Sequence, residues 1–418
     1  DISIRDRTGR NALHLAVEFG YFDIVELLFD YGCNGLCVDN KNMNILHIAC
    51  VRNDHSFFHK LLYYLKTIYN EEELKQIIDL ESNIGTPLMI ATQRLNTDIV
   101  TDLLLFNATI FYSPQLHSSP LHESSYSGLE SITKSFLYAL DTNTKIDLIN
   151  SSNSEGSNCL SLASEAGNEE TVRNLIENNA NINHTRFMDG ATPLFMACDE
   201  GYFNIVKILL DNNASMIGSP QTGAFPLFIA CQRGYKDIVE IILKYIKDSE
   251  TLDYEKEVNR VCVDGTPPLY IASAEGFDNI VELLLQYNVN VNHQVDTGAT
   301  ALFAACQNGH LESVKHLINY SADVTIARND GVNPFYISCV SNKKEIVQLL
   351  LEHHSFNINQ YHEGASVLHI LAQEGFIDIL QTVNKYGKDV LVDIPMEDEE
   401  ETTPLMIACD EGHLNIVK

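Results

Sequence analysis

Apolar residues in this chain fall into short phrases with helical spacing, and the phrases recur. Thr192-Pro193-Leu194-Phe195-Met196-Ala197-Cys198 returns as Thr403-Pro404-Leu405-Met406-Ile407-Ala408-Cys409. The anchor of each phrase is Leu13, Leu46, Leu88, Leu121, Leu160, Leu194, Leu227, Leu269, Leu302, Phe335, Leu368 or Leu405, and most steps between anchors are 33 or 34 residues. A fixed period in this range predicts stacked repeats rather than one globular core. Within one unit, Asp189-Gly190 is turn chemistry, and Thr192 caps a helix whose first residue is Pro193. Leu194, Ala197 and Cys198 then share one helix face, and Gly201 ends the helix in the left-handed conformation. A second helix carries Ile205, Val206, Leu209 and Leu210 and closes at Asn212-Asn213. Neither helix is long enough to persist alone in water, so each must bury its apolar face against its neighbours.

Breaks in the beat divide the chain. The steps from Leu46 to Leu88 and from Leu227 to Leu269 are 42 residues, with smaller excesses after Tyr138 and Val390. Residues 1–112 read as repeats 1–3 with an insertion near 64–80. Residues 113–157, dense in Ser, Asn and Thr, read as a divergent fourth repeat and a candidate seam. Residues 158–394 read as repeats 5–11 with an insertion near 246–261, and residues 395–418 as an acidic loop, Glu397 to Glu401, and a truncated twelfth repeat. The inserted stretches predict longer second helices or charged loops. The missing initiator Met and the stop at Lys418 inside a phrase suggest a piece of a longer protein.

These phrases resemble the ankyrin repeat, whose pattern is a turn with Asp and Gly, then Thr-Pro-Leu-His, Ala, Gly-His, a Val-Leu-Leu helix and a Gly-Ala-Asp-Val-Asn tail. The second-helix run is seen at Ile24-Val25-Glu26-Leu27-Leu28 and Ile280-Val281-Glu282-Leu283-Leu284, and the tail at Asn179-Ala180-Asn181-Ile182-Asn183 and Asn288-Val289-Asn290-Val291-Asn292. The resemblance covers nearly the whole chain. It implies an all-α solenoid of about eleven full repeats plus a truncated one. Each repeat is then a pair of short antiparallel helices with a β-hairpin or loop finger, and the first helices and fingers line a concave side.

Composition narrows the function. The net charge of −30, from 57 acidic and 27 basic residues, disfavours phosphate backbones and favours basic partners. No stretch has the length and apolarity of a membrane span, and the N-terminus lacks signal-peptide features. Six of the ten cysteines (Cys50, Cys198, Cys231, Cys306, Cys339, Cys409) stand four residues after an anchor, where other repeats place Val17, Thr92, Ser125, Ser164, Ser273 or Ala372. Alternation with small residues marks a helix-packing position, with Cys acting as a small hydrophobe. Equivalent positions in stacked helices lie about 8–10 Å apart, too far for a disulfide. Free buried thiols suit a reducing, cytoplasmic compartment.

Catalytic and metal chemistry find little support. His14, His47, His122 and His369 follow their anchors at repeat spacing and so cannot converge on one ion. His55 and His59 have the i, i+4 spacing of two ligands on one helix, but the Glu of a metalloprotease motif is missing and no third or fourth ligand is close in sequence. No phosphate-binding Gly-rich loop and no Gly-x-Ser-x-Gly motif is found. No catalytic residue, metal or cofactor is therefore expected.

Binding candidates are the polar residues closing the first helix, and the ring that follows two positions on: Glu165; Asp199, Glu200 and Tyr202; Arg233 and Tyr235; Glu275 and Phe277; Asn308 and His310; Glu374 and Phe376; Glu411. Under the resemblance these lie on or near the concave face, as an acidic strip edged by rings, with the rings also suited to packing between repeats. The expectation is a non-enzymatic scaffold that binds a basic or amphipathic segment of another protein. The alternative is a regulatory or tethering array of a larger protein, an ion channel or a kinase, whose active part lies outside this sequence.

Overall fold

The structure, a computed structural model, describes residues 2–397 and 401–418, so Asp398, Glu399 and Glu400 of the predicted acidic loop lie outside the described residues. The chain forms two compact units, Asp1–Ser215 and Met216–Lys418.

In the first unit, the first and second helices of successive repeats are Ala12–Phe19 and Phe22–Asp30, Ile45–Arg52 and His55–Ile68, Pro87–Gln93 and Thr97–Leu105, Pro120–Ser127 and Glu130–Ala139, Cys159–Glu165 and Glu169–Glu177, and Pro193–Glu200 and Phe203–Asp211. Two more helices, Glu71–Asp79 and Thr142–Asn150, follow the second helices of the second and fourth repeats. In the second unit the pairs are Pro226–Arg233 and Lys236–Asp248, Pro268–Glu275 and Asp278–Gln286, Ala301–Asn308 and Leu311–Asn319, Pro334–Val340 and Lys344–His353, Val367–Glu374 and Ile377–Tyr386, and Pro404–Asp410 and Leu414–Val417. The short helix Tyr254–Val258 follows the first of them.

Local chemistry fixes the helix ends. Thr192 Oγ1 accepts the Phe195 N–H at 3.2 Å, Pro193 sits at the first position, and Gly201 closes the helix at φ 84°. The extra helices carry their own caps: Asn70 with Glu73 forms a reciprocal capping box, and Asp141 and Asp253 accept first-turn amides.

Packing follows the anchors. Leu13, Leu46, Leu121, Leu160, Leu194 and Leu302 are fully buried, each a contribution of about 1.5–3 kcal/mol to stability. Cys50, Cys198, Cys231, Cys306 and Cys339 are also fully buried, whereas Cys409 is exposed. None of the ten cysteines forms a disulfide. Burial pushes the Cys159 and Cys306 thiols up to about 12, as expected of inert packing groups.

The fingers are mostly turns. Among the described residues, one two-stranded hairpin pairs Tyr361 with Ser366 and His362 with Ala365, and single bridges join Ser82 to Gly85 and Ser113 to Ser118. Several neighbouring fingers share a backbone hydrogen bond: Asn40 N–H to Thr8 O at 3.0 Å, Asn83 to Lys41 at 3.0 Å, Asp296 to Asp264 at 3.2 Å and Asn329 to Thr297 at 2.9 Å. A parallel ladder runs through the asparagine tails. Asn150 Oδ1 accepts the Asn181 N–H at 2.6 Å, Asn183 that of Ser215 at 2.8 Å, Asn259 that of Asn290 at 2.7 Å, and Asn292 that of Asp323 at 2.8 Å. Each link satisfies a loop amide that would otherwise lack a partner in the stack.

Candidate interaction surface

The periodic histidines bridge repeats. The Nε2–H of His14 donates to Cys37 O at 3.1 Å, that of His47 to Gly85 O at 3.1 Å, that of His122 to Ser151 O at 2.9 Å and that of His369 to Thr402 O at 3.2 Å. Each spans from a first helix to the loop that leads into the next one. Their rings are buried, and burial holds His47 and His122 down at about 4 and lowers His14 as well. The imidazoles of His47 and His122 are neutral structural struts, and those of His14 and His369 make the same bridge.

The ring positions also have a packing role. A Cβ on Gly167 would stand 2.7 Å from the Tyr202 ring, one on Gly234 2.7 Å from the Phe277 ring, and one on Gly276 2.3 Å from the His310 ring. Each ring thus lies over the helix-ending glycine of the preceding repeat. His310 Nε2 and Asn308 Nδ2 both reach Ala274 O, at 3.0 and 2.7 Å, a carbonyl left open by the helix end. Phe376 is half-buried and Tyr235 is exposed.

The acids divide into two sets. Arg186, from the following finger, reaches Glu165 at 3.2 Å while holding Asp189 at 2.7 Å, and Arg10 pairs with Glu18 at 2.6 Å. The Arg186 guanidinium keeps Asp189 below its ordinary carboxylate range. Finger arginines therefore neutralise part of the acidic strip in the first unit. Asp199 is half-buried, while Glu200, Glu275, Glu374 and Glu411 are exposed and form no ion pair among the described residues. In the second unit the same helix position carries Arg233, Glu275, Asn308, Ser341, Glu374 and Glu411, so the strip there is polar and interrupted, with three exposed acids.

Two features escaped the sequence reading. The finger of the sixth repeat exposes Phe187 and Met188 by 72% and 74%, two adjacent apolar side chains beside the Arg186–Asp189 pair. Its signal was Arg-Phe-Met-Asp at a turn where other fingers place mostly polar residues. The other is Asp102, on helix Thr97–Leu105, whose Oδ2 lies 3.0 Å from His55 Nε2 and 2.9 Å from His59 Nδ1. The pair thus has a third potential ligand from the neighbouring repeat, and the three ligand atoms lie within 4.8 Å of one another.

Each unit is therefore a stack of helix pairs that offers an extended surface, built from helix ends and fingers. The chain belongs to the ankyrin-repeat family: the family description Ankyrin repeats (3 copies) matches residues 1–72, 121–219, 217–295 and 271–362, well over half of the chain. This is an all-α fold that mediates protein–protein interaction. Among curated proteins, the human transient receptor potential cation channel subfamily A member 1 is 29% identical over 219 residues, which is 51% of this chain and 18% of the channel. The ankyrin repeat and KH domain-containing protein mask-1 of Caenorhabditis elegans is 29% identical over 135 residues, 32% of this chain and 5% of that protein. The chain thus spans under a fifth of either relative. Among solved structures, the crystal structure of the human ASB11 ankyrin repeat domain aligns at 24% identity and TM-score 0.48, covering 57% of this chain and 99% of that one. No helix among the described residues is long and apolar enough to cross a membrane.

Proposed function

We propose that this chain is a non-enzymatic protein-interaction array that receives a basic, amphipathic segment of another protein on its first-helix ends and fingers. The observation that carries the reading is the set of exposed acids, Glu275, Glu374 and Glu411 in the second unit and Glu200 in the first, that form no ion pair within the chain. By contrast, Glu165 and Glu18 of the first unit are each paired with an arginine. In the first unit the exposed Phe187 and Met188 add an apolar contact of the kind that gives a peptide site its affinity. The overall charge of −30 steers basic partners toward the surface. Asp199 and Tyr202 complete the proposed surface of the first unit, and Arg233, Tyr235, Phe277, Asn308, His310 and Phe376 that of the second, the packed rings serving mainly to hold the floor of each. Ten cysteines with no disulfide among them support a reducing, cytoplasmic setting for this activity.

The test reverses the acids of one unit at a time, with Glu275→Lys, Glu374→Lys and Glu411→Lys together in the second and Glu200→Lys in the first. Exposed charge pairs contribute about 0.2–1 kcal/mol each, so the triple change weakens a basic partner by roughly tenfold or more at low salt and flattens the salt dependence. Unchanged affinity in both sets of variants refutes the reading. A second reading, a regulatory or tethering array within a larger protein, is favoured by the lengths of the two relatives, one of them a cation channel. Sequencing the complete transcript for channel or kinase segments decides it.

A further inference from the structure

We infer that His55, His59 and Asp102 form a binding site for a divalent first-row transition ion, zinc being the reference case, which clips the second helices of the second and third repeats together. The site goes beyond the interaction role and lies on different helices.

The geometry supplies the ligands from two elements. Helix His55–Ile68 presents His55 and His59 one turn apart on one face, and helix Thr97–Leu105 packs beside it and presents Asp102. Both imidazoles aim a nitrogen at the same carboxylate oxygen, His55 Nε2 at 3.0 Å and His59 Nδ1 at 2.9 Å. In a tetrahedral zinc site with bonds of about 2.0–2.2 Å, ligand atoms stand roughly 3.3 Å apart, so small side-chain rotations admit an ion among the three. The donor set, two imidazoles and one carboxylate, suits zinc and its neighbours and is poor for magnesium or calcium, which need more oxygen ligands.

Burial argues in the same direction. The Asp102 side chain is only 9% exposed, while those of His55 and His59 are 41% and 48% exposed. A carboxylate held in a helix junction needs a compensating cation, and no lysine or arginine reaches this one among the described ion pairs. Without an ion, two imidazole N–H groups must share one oxygen. With an ion, both imidazoles bind through these nitrogens as lone-pair donors and carry their protons on the other ring nitrogen. The outward-facing histidines leave an approach from solvent and an open fourth position for water. The rings of His59 and Tyr63 lie 4.4 Å apart, and Tyr63 meets Phe106 edge-on at 5.1 Å, so one flank of the site is walled by aromatic rings.

The experiment titrates the full chain with zinc ion alone, in competition with a chromophoric chelator, and repeats the titration on His55→Ala and His59→Ala. Both side chains are about half exposed, so these variants keep the fold, which circular dichroism checks. The expected result is a zinc equivalent whose affinity falls at least about tenfold in each variant, and a zinc-induced rise in thermal midpoint in the native chain that both variants lose. Cobalt bound in its place shows no thiolate charge-transfer band, and magnesium leaves the midpoint unchanged. Asp102→Asn adds a third arm if it folds, and the two histidine variants decide the matter if it does not. Zinc binding that survives His59→Ala undiminished, a thiolate band with cobalt, or no zinc binding at micromolar concentration overturns the assignment.

Discussion

Acidification of the first unit is the sharpest consequence of the buried histidine struts. His47 and His122 are at most 1% exposed, and burial lowers each from 6.5 to about 4. Each donates its Nε2–H across a repeat junction, to Gly85 O and Ser151 O, and Ser119 Oγ lies 2.7 Å from the remaining His122 nitrogen. The folded state therefore holds the neutral ring while the unfolded chain protonates near its ordinary value. Between the two values the unfolded state binds more protons, so stability is complete above about pH 6.5 and falls as the pH drops toward 4. The difference is about 2.5 units at 1.36 kcal/mol per unit, an upper limit of roughly 3 kcal/mol per histidine. Going from about pH 7.5 to about pH 5 removes roughly 2 kcal/mol per histidine, and the two belong to non-adjacent repeats, so their losses nearly add. The lowered His14 works in the same direction. The chain has no Trp, so urea unfolding at several pH values is best followed by circular dichroism, beside His47→Gln and His122→Gln. Those variants are less stable at neutral pH but lose less between pH 7.5 and 5. Carbon-13-labelled histidine gives the titrations directly. Two of these imidazoles titrating near 6.5 in the folded protein, or a double variant with the native pH slope, refutes the argument.

Two further substitutions probe the stack. Gly276→Ala places a Cβ at φ 76° and 2.3 Å from His310 Nδ1; the left-handed strain plus loss of the His310 bond to Ala274 O costs roughly 2–3 kcal/mol, read from urea midpoints. Ser273 is fully buried and its hydroxyl finds no hydrogen-bond partner among the described residues, at the position where other repeats place Cys. Ser273→Cys should therefore stabilise the second unit by about 1 kcal/mol, and a destabilised variant in the same assay counts against a strict packing role for that position.

The repeat itself was legible because its signals are local. Thr192, Pro193 and Gly201 each announce a cap, a first turn and a helix end within a few residues, and the structure uses each in that role. The cysteines were legible by substitution, since Cys50, Cys198 and Cys306 occupy a site where serine and alanine also stand, and all three are buried and form no disulfide. The helix Glu71–Asp79 could have been bounded from Asn70 and Glu73, a capping box written in the sequence. What stayed hidden depends on registry between repeats. Asp102 meets His55 and His59 only because two second helices pack side by side, and nothing local marks that aspartate as a partner. Likewise Arg186 folds back onto Glu165 of the preceding first helix, and the rings of Phe277 and His310 lie over the glycines of the previous repeat. The acidic strip was read from letters alone, and letters do not say which acids already have an arginine.

The most direct test of the proposed surface places a photo-crosslinking amino acid at Glu374, at the end of a first helix, and separately at Glu352, exposed on a second helix of the same unit. With the partner present, the account predicts crosslinks from Glu374 to peptides rich in Lys and Arg, and none from Glu352. Crosslinks from Glu352 alone, or from Glu374 only to acidic or neutral segments, contradict it.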